Sequence, residues 1–320
     1  MLSVAAYSLA HFAVDLGCAY SYFAHCSAGS FGFLIYNFFA FAMQMPMGLL
    51  ADRFGHGKGA AAAGCAITAL LCFLPEFSLF GAALLGVGNA LFHIGGGVEI
   101  LYHSDRAAPL GIFVSPGALG LYLGTLLGKA AAAPWIAACC LLVSLLAVLF
   151  TKAGYYGGDP NPKTAVRRAL LPVILLFSVV LLRSFAGMAG SFGWKQGLLI
   201  PAAVLCTVLG KTLGGLAADH FGLPGAGVYS LLAAAICFLF SGSAVPGLAA
   251  VLLFNMSMPI TLHALAVRLP ACKGFAFGML TFALFLGFIP TYLGVGTISA
   301  SILAVCAAVS ALLLLPALRR

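Results

Sequence analysis

Phe41–Gly55 reads FAMQMPMGLLADRFG, and Val208–Gly222 reads VLGKTLGGLAADHFG. Gly48, Leu49, Ala51, Asp52, Phe54 and Gly55 of the first stretch recur as Gly215, Leu216, Ala218, Asp219, Phe221 and Gly222 of the second, at a constant offset of about 167 residues. Each copy closes an apolar run with small residues and one aspartate. A repeat at this distance in a chain of 320 residues describes a fold built twice in parallel orientation.

The surroundings of the two copies set the solvent. The chain is 63% hydrophobic and only 7% charged, with a mean hydropathy of +1.14. Soluble domains run near 45–50% apolar and about 25% charged, so an ordinary soluble protein is excluded. A bilayer core of roughly 30 Å takes about 20 helical residues per crossing, so about twelve crossings use most of the chain and leave no room for a soluble domain. Cutting at Gly, Pro and charge clusters gives spans near 2–24, 29–51, 58–75, 78–102, 107–128, 131–152, 169–190, 196–218, 223–242, 246–267, 273–294 and 296–317. The expected fold is an all-α polytopic membrane protein of twelve helices in two pseudo-symmetric six-helix bundles. The one long polar interval, Ala153–Arg168 (AGYYGGDPNPKTAVRR), divides it into an N-terminal bundle over 1–152, a linker over 153–168 and a C-terminal bundle over 169–320.

The net charge of +8 does not read as nucleic-acid binding, because no Lys/Arg run exceeds two residues and no basic stripe carries interleaved aromatics. The ten cysteines lie in or beside apolar runs and read as packing residues, not as disulfides or metal ligands. The apolar run from Met1 lacks a basic leader and a cleavage site, so it reads as the first helix. With the amino terminus inside, the inner loops and tails carry Arg53, Lys58, Arg106, Lys152, Lys163, Arg167, Arg168, Arg268, Lys273, Arg319 and Arg320, and the outer ones only Lys129 and Lys195. The positive-inside rule then puts both termini and the linker in the cytoplasm of a cell that carries the protein in its plasma or inner membrane.

Gly48-Leu-Leu-Ala-Asp52-Arg53-Phe-Gly55-His-Gly-Lys58 resembles the loop 2–3 signature of the major facilitator superfamily, and the second copy, ending in Asp219 and Gly222, lies where that superfamily carries a degenerate one. The resemblance covers the whole chain in span count, linker position and sidedness. It implies a cytoplasmic gate made of Gly48, Asp52, Arg53, Gly55, Lys58, Asp219 and Gly222. Physically, the glycines allow close helix approach, and Asp52 can pair with Arg53 or accept from a neighbouring helix N-terminus. A narrower likeness, to the fosmidomycin-resistance efflux branch, rests on His11-Phe-Ala-Val-Asp15 and on Gly86-Val-Gly88-Asn-Ala-Leu-Phe92-His93. Two features depart from the proton-coupled and drug-exporting patterns: no arginine precedes Gly86-x-Gly88, and Ser115-Pro116-Gly117 stands where drug antiporters show Gly-Pro.

Charged and polar groups at membrane depth suggest function. His11 and Asp15 are one helical turn apart and share a face. Asp15 and His93 are the expected proton-coupling groups, with an ion pair between Asp15 and Arg183 as the static alternative. The expected substrate lining is His11, Asp15, Asn37, Gln44, His93, Arg183, Lys211 and Asn255. Lys211 is the repeat partner of Gln44, and with Arg183 it makes the second half cationic, which favours an anionic or zwitterionic solute. Glu99 is expected to pair with Arg106 or His103. Gly120, Gly124 and Gly128 form a smooth packing face.

The leading function is secondary transport of a small organic solute by alternating access, coupled to a proton and directed outward, with uptake or uniport as the alternative. Neither the HExxH helix motif nor the Gly-x-x-x-x-Gly-Lys-Ser/Thr phosphate loop is present, so neither an integral-membrane enzyme nor direct ATP drive is expected. No cofactor or metal is expected. The expected partners are the lipid bilayer, the solute and the coupling proton, with the protein acting as a monomer.

Overall fold

The computed structural model describes residues 2–152, 154 and 156–319. It is all-α. Twelve apolar helices follow one another: α1 (Leu2–His25), α2 (Gly29–Phe54), α3 (Gly57–Leu71), α4 (Leu79–His103), α5 (Ala107–Lys129), α6 (Pro134–Leu149), α7 (Leu170–Ala189), α8 (Leu199–Phe221), α9 (Leu223–Leu239), α10 (Ala244–Arg268), α11 (Lys273–Tyr292) and α12 (Ala300–Leu318). Nine of these are long enough to cross a bilayer as straight apolar helices; α3, α6 and α9 are shorter. Lipid offers no hydrogen-bond partner to the backbone, so helices that satisfy every peptide internally are what such a composition must form. Side chains such as Phe80, Leu205 and Leu312 remain exposed along these helices, as lipid-facing positions do. The chain is a multi-pass membrane protein.

Three of the helices are interrupted. Residues Phe38–Ala42 of α2 form a π-turn. α5 breaks at Ser115–Pro116, where proline removes a donor; Ser115 Oγ donates to the Ile112 carbonyl at 3.1 Å, the acceptor that the missing N–H leaves open. α10 breaks at Met256, between Asn255 and Ser257. A short helix, Pro162–Arg168, fills the end of the linker.

The chain forms two compact units. One comprises Met1–Ser104, Pro116–Asn161 and Ala271–Phe282; the other comprises Asp105–Ser115, Pro162–Pro270 and Ala283–Arg320. In the first unit α1 lies against the second part of α5. Gly120, Gly124 and Gly128 bring that helix onto the carbonyls of Phe12, Leu16 and Tyr20, closer than any side chain would permit. The buried side chains around this seam include Tyr7, Tyr20, Leu85 and Phe92. In the second unit α8 lies against the first part of α5, and α12 against α7 and α9, around Leu176, Leu231 and Ile260.

Candidate functional site

The middle of the first unit holds a polar cluster in an apolar setting. His11 and Asp15 stand one turn apart on α1, with His11 Nε2 3.3 Å from Asp15 Oδ2. From α4, His93 places its Nε2 3.0 Å from His11 Nε2 and 3.6 Å from Asp15 Oδ1. The His93 Nδ1 lies 2.9 Å from the Asn89 carbonyl one turn earlier. A carbonyl can only accept, so Nδ1 carries a hydrogen and Nε2 presents its lone pair when the ring is neutral. Asn89, buried on the same helix, donates from Nδ2 to Asp15 Oδ1 at 3.2 Å. His11 is buried and meets the rings of Phe92 and His93 edge-on.

Asn89 and Gly117 belong to this cluster, and sequence reasoning did not single them out. Asn89 sits four residues before His93, a spacing that puts the two on one helix face. Gly117 follows the α5 break, and a Cβ there would overlap Asp15 Oδ2 and His11 Nε2. Its signal in the sequence was only that it follows Ser115-Pro116.

The remaining expected lining residues are placed separately. Asn37 donates to Phe33 O at 2.7 Å, and Gln44 Nε2 donates to Ala40 O; both bonds stay within α2, on either side of the π-turn's start. Gln44 is buried, and its Oε1 has no partner among the described residues. Asn255 likewise donates to Val251 O of its own helix, beside the α10 break. Lys211 on α8 points its Nζ at the Val114 carbonyl, 3.2 Å away, and the next residue, Thr212, donates to Ser115 Oγ at 2.9 Å. The cation is therefore directed at the broken turn of α5. Arg183 is half-buried on α7 and makes no hydrogen bond or ion pair among the described residues.

A second constellation lies at one end of each unit. Asp52, fully buried at the end of α2, accepts from Gly274 N and Phe275 N at 2.8 Å each, and from Tyr102 Oη at 2.9 Å. The two amides are in the first turn of α11, whose N–H groups have no partners within their own helix. Asp219, at the end of α8, accepts from Ala107 N at 2.8 Å and Ala108 N at 3.0 Å, the first turn of α5, and from Arg106 Nε at 3.2 Å. The repeat glycines serve the same approach. A Cβ on Gly48 would overlap the Gly274 carbonyl, and one on Gly215 would lie 2.7 Å from the Ala107 carbonyl.

Of the two partners open to Asp52, the structure uses the helix N-terminus; Arg53 is exposed. Gly55 ends α2 with φ of 66°, and its N–H returns to Ala51 O at 2.8 Å. Gly222 ends α8 with φ of 80°. Lys58 Nζ donates to Thr151 O at 2.7 Å and its amide to Glu99 Oε1 at 3.0 Å. Glu99 pairs with His103 at 3.6 Å, while Arg106 belongs to Asp219.

The linker is fastened to this end of the first unit. Tyr156 stacks on Tyr102 with ring centroids 4.3 Å apart, accepts from Gly57 N at 2.9 Å and faces Glu99 Oε1 at 3.4 Å. Burial, then the Glu99 carboxylate, push its phenol above the usual range, so it stays protonated. Gly158 N donates to Asp52 O at 3.2 Å. Lys273 lies over the Tyr102 ring at 5.1 Å and donates to Leu101 O at 2.7 Å. Beside it the buried Cys272 thiol is raised, first by burial and then by the charge of Asp52.

No protein-family model matches the chain, and no curated protein matches it by sequence. Solved structures do match by shape. One is the crystal structure of FucP, a major facilitator superfamily transporter, in the outward conformation: TM-score 0.74 and 12% identity, covering 100% of this chain and 98% of that one. Another is a substituted form of the E. coli fucose:proton symporter FucP, with TM-score 0.68 and 13% identity over 100% of this chain and 98% of that one. At such identities the likeness speaks to architecture, and the architecture of the twelve helices is the major facilitator superfamily fold.

Proposed function

We propose that the chain is a secondary transporter of the major facilitator superfamily that moves a small organic solute by alternating access. The observation that carries this reading is the pair of aspartate clasps. Each compact unit contains a helix start drawn from the other half of the sequence: Gly274 and Phe275 held by Asp52, and Ala107 and Ala108 held by Asp219. Two bodies, 1–152 and 169–320, that rock about a central site must release these contacts in one state and remake them in the other. Gly48, Gly55, Gly222, Arg53 and Lys58 complete this gate, on the cytoplasmic side of a plasma or inner membrane, with both termini inside.

In the finer reading, the solute is anionic or zwitterionic, met by Arg183 and Lys211 in the second half and by Asn37, Gln44 and Asn255 around it. His11, Asp15 and His93 form the coupling site, with a proton as the ion carried by Asp15 and His93. Transport is outward, by a monomer, along the lines of the fosmidomycin-resistance branch. Symport is the second reading, since FucP, similar in fold, is described as a fucose:proton symporter. Proton movement in reconstituted liposomes, challenged with phosphonates, carboxylates and lipophilic cations, tests all of this. A pH change triggered by anions alone supports the finer reading, and its sign separates exchange from symport. A response to cations alone overturns the anion assignment.

A further inference from the structure

The His11–Asp15–His93 cluster has a geometry that proton carriage does not require. Four ligands around a tetrahedral zinc-class ion, at about 2.0–2.2 Å from it, lie about 3.3–3.6 Å from one another. Here His11 Nε2 and His93 Nε2 are 3.0 Å apart, and each faces its own oxygen of Asp15, Oδ2 at 3.3 Å and Oδ1 at 3.6 Å; one ligand atom from each residue lies within 4.8 Å of the other two. They come from two helices, so no single turn dictates the triangle.

The surroundings match those of a ligand set. His93 Nδ1 is tied to the Asn89 carbonyl, which orients the ring so that Nε2 faces His11 and Asp15, the arrangement that fixes metal-binding histidines elsewhere. Asn89 Nδ2 holds the carboxylate through Asp15 Oδ1, while Asn89 Oδ1 is buried with no partner among the described residues. Gly117 bounds the cluster where any Cβ would strike Asp15 Oδ2 and His11 Nε2. Two imidazoles and one carboxylate suit zinc, cobalt or nickel, whereas calcium and magnesium demand a shell of oxygens.

We infer that His11, Asp15 and His93 form a three-ligand seat for a divalent first-row transition ion, bound with one coordination position open. Asn89 is the positioning residue for two of the three ligands. The seat uses the same side chains as the coupling site proposed above, but it does not depend on transport.

The test is Co2+ titration of the purified full-length protein in detergent micelles, prepared without a polyhistidine tag and followed by visible absorption, with Zn2+ displacing the bound cobalt. One equivalent should bind with the intense visible band of four-coordinate cobalt and without the near-ultraviolet band of a thiolate ligand. His11→Gln, His93→Gln and Asp15→Asn should each weaken binding by more than ~10-fold, and Asn89→Ala should weaken it by ~10–100-fold, as loss of a ligand's hydrogen-bond partner does. Gly117→Ala keeps every ligand and should weaken binding by crowding. His103→Gln, which removes the half-exposed partner of Glu99, should leave it unchanged.

Absence of the band in the wild type overturns the site, as does a band that survives His11→Gln and His93→Gln in monodisperse protein. Cobalt binding without solute-driven proton movement keeps the seat and overturns the coupling reading. Proton movement without cobalt binding does the reverse.

Discussion

Asp52 and Asp219, equivalent in the internal repeat, each hold two consecutive backbone amides of a helix that belongs to the opposite half of the sequence. The helix dipole and the unpaired first-turn N–H groups make each a charge-assisted clasp. The two differ in exposure. Asp52 is sealed under Tyr102, whereas Asp219 is joined by Arg106, an exposed side chain.

Asp52→Ala removes three hydrogen bonds to a buried carboxylate. Bonds to charged groups contribute about 1.5–3 kcal/mol each when measured singly, so even one of them shifts a two-state equilibrium by roughly tenfold or more. The expected outcome is slower turnover with solute affinity nearly unchanged. Cys272, buried beside this clasp, supplies the probe. Its maleimide labelling, read by site-resolved mass spectrometry, should rise in Asp52→Ala. A change in affinity with unchanged labelling would remove the gate assignment.

Gly48→Ala places a methyl against the Gly274 carbonyl, and Gly215→Ala places one against Ala107. Overpacking of this kind costs about 1–3 kcal/mol, and here it falls only on the state with the clasps closed. Both variants should insert normally and favour the released state, with raised Cys272 labelling in Gly48→Ala. Wild-type transport and labelling in both would show that the close approach is not needed.

Asp15→Asn keeps the shape of the polar cluster and removes its carboxylate. Solute-driven proton movement should be lost while membrane insertion and monodispersity are retained. Full coupled activity in this variant would refute the coupling role.

Lys211→Ala and Arg183→Ala should each weaken anionic solutes by ~10-fold or more and leave cationic ones within about twofold, taking a desolvated charge contact as about 1.5–3 kcal/mol. Binding measured for a matched pair of solutes of opposite charge checks this. Equal losses for both would dispose of the cationic-half argument.

The twelve helices were legible because apolar length is a direct statement about lipid, and even the shorter α3, α6 and α9 stood out between glycines and charges. The role of Asp52 was half legible: its place at a helix end was clear, but the choice between Arg53 and a distant helix N-terminus depends on tertiary approach. His11 and Asp15 could be paired by spacing alone; His93 was grouped with them as a polar residue at membrane depth, but its distance from them depends on how α1 meets α4. Asn37 and Gln44 read as cavity residues, yet both donate to carbonyls of α2 beside the π-turn, a local irregularity that no periodicity in the sequence announces. Gly117 was invisible as a site residue because its contribution is the absence of a side chain.

α5, through its break, and α11, as one continuous helix, contribute to both compact units, and this bears on how the protein can be made. A chain cut in the linker yields two fragments, each ending a helix in an aspartate whose amide partners lie on the other fragment. Expressed alone, either fragment has a carboxylate and a helix start without those partners; expressed together, the fragments carry two complementary points of recognition. Reassembly from separate halves is thus written into the fold at Asp52 and Asp219, and substituting either aspartate would impair the joining of fragments more than the behaviour of the intact chain.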